Sequence, residues 1–119
     1  MAASVTEPAI DAPLWGTRAV LPQRRPHVVV PFEFDGQRFV GGIGTVSAGD
    51  RTVREIWINT HKRHSTLDAM VSGYAVAVSI ALQHGATVAG IAAGLMRNTD
   101  GSPLCPVGAF LDIIAREEW

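Results

Sequence analysis

Only one cysteine, Cys105, occurs among the 119 residues, so no internal disulfide can form and the chain must hold together by packing. At this length a chain buries about 65% of its unfolded surface, enough for one domain without a disulfide or metal staple. Aromatic residues are scarce, at 7%, and charged residues amount to 18% with a formal net charge of −1. That balance disfavours both a strongly basic nucleic-acid binder and an acidic disordered tail. Long hydrophobic runs are missing too: Ala69 to Gln83, the longest candidate, is too short for a membrane span and is broken by Ser72, Gly73 and Ser79. No charged-then-apolar leader opens the chain. The expectation is a cytoplasmic domain with neither membrane nor nucleic acid among its partners.

The few charges are unevenly spread. Between Arg18 and Arg63 eight Lys/Arg stand against four acids, and the rest of the chain is acidic. Such a segment suits phosphate, nucleotide or an acidic protein surface, and equally an ordinary solvated face.

Residues 1–26 read as an extended arm, interrupted by Pro8, Pro13, Gly16, Pro22 and Pro26. Its apolar residues Leu14, Trp15, Val20 and Leu21 call for a surface to lie on, in the same domain or in a second subunit. Residues 27–119 read as a single α+β domain. His27 to Phe34 is β-branched and aromatic, Asp35-Gly36 is a hairpin turn, and Arg38 to Val46 returns as a second strand. Pro31 cannot donate to a ladder, which puts the first strand at an edge or at a bend. After a turn at Ala48-Gly49-Asp50, Thr52 to Asn59 supplies a third strand, giving a three-stranded antiparallel meander. Gly41, Gly42 and Gly44 fall inside a strand rather than at a strand-to-helix turn, so they mark a bulge or a close backbone contact, not a phosphate loop.

Two or three helices packed on one face of the sheet follow. Ser65 to Asp68 resembles a capping box, and Leu67, Met70, Val71, Tyr74, Val78 and Leu82 recur at helical spacing as far as Gly85. Ala69, Gly73, Ala77 and Ala81 form a stripe of small side chains that would admit another backbone. A second helix is predicted over Thr87 to Arg97 with a similar stripe, and a last one over Val107 to Trp119 with Phe110, Leu111 and Ile114 inward. The two stripes can face each other, or one can face a second copy. Apolar surface in excess of what three strands cover predicts a homodimer, with Trp15, Ala69, Gly73, Ala77 and Ala81 at its interface.

Chemistry-bearing residues are sparse. His61-Lys62-Arg63-His64 followed by Ser65 places two fixed charges and two imidazoles beside the free amides of a helix start, a combination that suits a phosphate or nucleotide. Two histidines are too few for zinc, and the remaining donors His27, His84 and Cys105 have no fixed spacing to them; no metal and no cofactor is expected. Cys105, between Leu104 and Pro106, reads either as an apolar filler or as a thiol activated at a helix start. His84 closes a helix, where it suits the last carbonyls. No catalytic residue is assigned.

Arg54-Glu55-Ile56-Trp57-Ile58, Ala77 to Gly85, Asp100-Gly101-Ser102-Pro103 and Val107 to Asp112 resemble the TSCPD domain. That domain occurs at the C-terminus of adenosylcobalamin-dependent ribonucleotide reductases and in short free-standing proteins. The likeness runs from Leu21 to Ile114, and the namesake motif is reduced here to Cys105-Pro106. It implies a module tied to ribonucleotide reductase and deoxyribonucleotide synthesis, docking on a catalytic partner protein or binding a nucleotide-like regulator. Ribonucleotide reduction in that family needs three sulfurs, and one cysteine rules out catalysis by this chain alone. The alternative is a dimerisation or interaction subunit of an unrelated enzyme complex.

Overall fold

A computed structural model describes residues 17–62 and 65–119. Strands β1 (His27–Phe34), β2 (Gln37–Gly44) and β3 (Glu55–Thr60) form an antiparallel sheet in that order, followed by helices α1 (Thr66–Gln83), α2 (Val88–Gly94) and α3 (Pro106–Ala115). Asp35 and Gly36 both adopt positive φ, the conformation that a tight two-residue hairpin between right-twisted strands requires. The register then runs without a bulge from His27↔Gly44 to Phe34↔Gln37, and from Phe39↔Thr60 to Gly44↔Glu55.

This register gives the sheet one apolar face. Val30, Phe32 and Phe34 of β1, Phe39 and Ile43 of β2, and Ile56 and Ile58 of β3 point to the same side, where Val71, Leu82, Phe110 and Leu111 complete the core. Phe32 stacks between Phe39 and Phe110, with ring centroids 5.3 and 5.2 Å apart. The strand glycines are explained by close contact. A Cβ at Gly41 would overlap the Phe110 ring on the core side, and one at Gly42 would overlap the Trp57 indole on the other.

The sheet has two different edges. Thr45 N donates to Pro26 O, so the alternation along β1 turns the backbone groups of Val29, Pro31 and Glu33 to the open side, and the missing N–H of Pro31 costs the ladder nothing. The β3 edge is covered by α1. Ser79 Oγ accepts from Ile56 N at 2.9 Å, Ser72 Oγ donates to Ile58 O at 3.1 Å, an Asp68 carboxylate oxygen accepts from Thr60 N at 2.9 Å, and Gln83 Nε2 donates to Arg54 O at 3.3 Å. A polar stripe at helical spacing thus stands in for a fourth strand.

That stripe decides how α1 is rotated. Val71, Ala75 and Leu82 are buried, Leu67 and Val78 are half-buried, and Met70 and Tyr74, which apolar spacing alone assigns inward, are exposed. The helix is turned until its hydrogen-bonding side chains meet β3, and the remaining apolar residues face outward. Gly85, at φ 107°, ends it as expected. The other helices are shorter than their sequence ranges. Thr87 caps α2 by accepting from Gly90 N, but Leu95 is extended, and Arg97 turns away to form a bidentate ion pair with Asp112 at 2.7 and 2.8 Å. The chain leaves α3 at Arg116, and Glu117 at positive φ brings Trp119 back beneath the Arg51 guanidinium, 3.7 Å from the ring centroid. Helix α2 packs on α3, so the two small-residue stripes do not face each other.

Candidate functional site

The loop between β3 and α1 holds the residues expected to bind an anion. Thr60 Oγ1 and Ser65 Oγ both donate to Lys62 O, at 2.6 and 3.0 Å, which fixes the loop backbone. Ser65 is the N-cap of α1, and its hydroxyl accepts from Asp68 N at 3.1 Å. That hydroxyl is therefore spent on the helix itself. His61 and Lys62 are exposed and, with Gln37, Arg38, Thr60 and Leu67, line a groove of about 390 Å³. Arg63 and His64 lie outside the described residues. Arg38 is a cation that sequence reading passed over; β-pairing brings it here, since His61 N donates to Arg38 O at 3.2 Å. The groove therefore gathers two fixed cations and one imidazole. Glu33 lies 3.9 Å from Arg38, a weak pair between two exposed side chains.

A second cluster lies on the sheet face away from the helices, and no local motif announces it. Arg25 grips Glu55 with two hydrogen bonds of 2.8 and 2.7 Å and donates a third to Pro22 O. His27 Nε2 stands 3.4 Å from the same carboxylate, and the His27 ring meets Trp57 edge-on at 4.8 Å. Gly44 makes room for this, since a Cβ there would sit 2.6 Å from Glu55 Oε2. The hydrogen bond from Arg25 holds the Glu55 carboxyl below its ordinary pKa, against the opposing effect of burial. A carboxylate so clamped is a poor proton acceptor, and its evident work is structural: it ties the segment before β1 to β3. Arg18 Nε ties the same segment to α1, at Gln83 Oε1 with a bond of 2.6 Å, next to the 2.7 Å bond from Ala19 N to Gln83 O. Residues 17–26 of the arm thus lie on their own domain; Trp15 is outside the described residues.

Cys105 is half-buried at the N-cap of α3, with no side-chain capping bond. Among the described residues no three His, Cys, Asp or Glu side chains converge on one point to hold a metal. Comparison with protein families, with curated proteins and with solved structures returns no match. Three surface features stand out among the described residues. The third of these, with the cationic groove and the clamped cluster, is the outward side of α1, where Ala69, Gly73 and Ala77 are exposed and Ala81 is half-buried. Helix α1 is also apolar and long enough, by length and composition, to cross a membrane, but three of its polar side chains are bonded to β3 and a fourth, Gln83, to Arg54 just before it.

Proposed function

We propose that this protein is a non-catalytic accessory module that works by offering surface to other polypeptides, and that its setting is cytoplasmic ribonucleotide reduction. The observation that carries the first part is the outward side of α1. Asp68 is the only charged residue in this helix and it is buried, so the exposed side is wholly uncharged. An uncharged helix face of this length is ordinary at an interface and unusual in solvent. The link to ribonucleotide reductase rests on the resemblance of Leu21 to Ile114 to the TSCPD domain, and a single thiol fits an accessory role better than a catalytic one. A nucleotide or phosphate regulator would take the groove of Arg38, His61 and Lys62.

Affinity capture with the tagged full-length chain tests the reading. Recovery of a reductase catalytic chain supports it; recovery of an unrelated enzyme favours an interaction subunit of another complex. Ribonucleotide turnover by the purified chain alone, given adenosylcobalamin and a dithiol, would refute both.

A further inference from the structure

We infer that the outward face of α1 is covered by the same face of a second copy, the two helices crossing antiparallel at the level of Ala75. The inference rests on the reading of that face as an interface and names what covers it. Met70, Tyr74, Val76 and Ile80 are 47, 49, 59 and 37% exposed. With Ala69, Gly73 and Ala77 they present on the order of 500 Å² per copy, so that complete coverage would bury about 1,000 Å² in all, the lower bound for a specific interface. That extent predicts a weak dimer.

The order of side chains suits a second copy. On the outward side residues of similar size lie at equal distances from Ala75: Ala69 and Ala81, Met70 and Ile80, and Gly73 and Ala77. A two-fold axis at that level sets Met70 of one copy level with Ile80 of the other and Gly73 level with Ala77, so that small residues meet small ones. Gly73 and Ala77 then flank the crossing point, where the backbones come closest, with the larger side chains to either side. The face is also neutral throughout, so pairing it with itself strips water from no charge, whereas a partner with an ordinary charged surface would lose hydration there.

Gly73 has no explanation within one chain. A Cβ added there meets nothing within 4 Å, and its φ is not positive. Glycine in the middle of an 18-residue helix weakens that helix relative to alanine, a cost the single chain does not offset.

Sedimentation equilibrium of the full-length chain, up to about 200 µM, tests the inference through mass action. Wild type is expected to show a concentration-dependent monomer–dimer equilibrium. Ala77→Glu should be monomeric throughout with an unchanged urea midpoint, because Ala77 is exposed in the single chain. Gly73→Leu should move two readouts in opposite directions, raising or preserving the urea midpoint of dilute protein and weakening association about tenfold or more. A monomeric wild type, or a dimer indifferent to both substitutions, overturns the inference. If a reductase chain is still captured in that event, only the choice of partner for α1 has failed; if none is captured, the interface reading fails with it.

Discussion

Replacing Ser79 by alanine should damage this protein more than its small size suggests. Ser79 is 7% exposed, and its hydroxyl accepts from Ile56 N at 2.9 Å while donating to the carbonyl of Ile56 or of Ala75, each at 2.9 Å. In Ser79→Ala the Ile56 N–H stays buried between sheet and helix without an acceptor. Such a group costs about 1–3 kcal/mol, whereas loss of the hydroxyl from an exposed helix position would cost almost nothing. We expect about 2 kcal/mol, and with roughly 3–5 °C per kcal/mol for a chain of this length the melting temperature should fall by about 8 °C. Urea denaturation of dilute protein, followed by far-UV circular dichroism, is the assay; the midpoint should drop and the slope stay constant. Ser72→Ala is the internal comparison, because Ser72 is only half-buried and water can replace its bond to Ile58 O. The same cost at both positions, or a Ser79→Ala midpoint within error of wild type, would refute the account of α1 as the cover of the β3 edge.

Gly42→Ala places a methyl group inside the Trp57 indole and should destabilise by about 1–3 kcal/mol with a shifted tryptophan emission, whereas Gly49→Ala, where nothing lies within 4 Å, should show only the strain of its positive φ. The depressed pKa of Glu55 contributes stability that is present above the unfolded-state value near 4.3 and is lost as pH falls through it toward the folded value; Arg25→Ala should flatten the acid limb of a stability–pH curve measured between about pH 6 and 3. Inorganic phosphate and ATP are expected to bind the groove of Arg38, His61 and Lys62 at low salt and pH 6 and to be released as salt rises; calorimetry on Arg38→Ala with Lys62→Ala should show no heat, and no heat with wild type would make the groove a plain solvated connection.

How much of this could be read in advance depended on whether one local signal settled the outcome. The hairpin at Asp35-Gly36 carries its own turn chemistry, and the change from period two to 3.6 near Ser65 separates sheet from helices, so the α+β order was legible. The inward direction of Phe110, Leu111 and Ile114 was legible as well, because no polar group on that face competes for it. The rotation of α1 was hidden. Two periodic patterns coexist in it, an apolar one through Met70 and Tyr74 and a polar one through Asp68, Ser72, Ser79 and Gln83. Apolar counting selects the first, but an uncovered strand edge beside the core would leave several backbone groups unsatisfied, and the second prevails. The candidate sites were half legible for a similar reason. His61 and Lys62 are contiguous and visible as a basic loop, while Arg38 reaches them only through strand pairing, and Arg25, His27, Glu55 and Trp57 meet across segments some 30 residues apart in sequence.

The two edges of the sheet also limit how this protein can associate. Adding a strand at β3 would require α1 to surrender its bonds to Ile56, Ile58 and Thr60 and to uncover Val71, Ala75 and Leu82, which are buried beneath it. On the β1 side Pro31 occupies an outward-directed position in the middle of the strand, so an incoming strand would find one donor missing and a ring in its path. Sheet extension is therefore blocked at both edges by different means. What remains for association is side-chain packing, and the same rotation of α1 that closes the β3 edge turns the uncharged face through Met70, Tyr74, Ala77 and Ile80 outward. Covering the edge and exposing the face are one event in this fold. A substitution that loosens α1 from β3, such as Ser79→Ala, should consequently weaken association along with stability, whereas Ala77→Glu should separate the two.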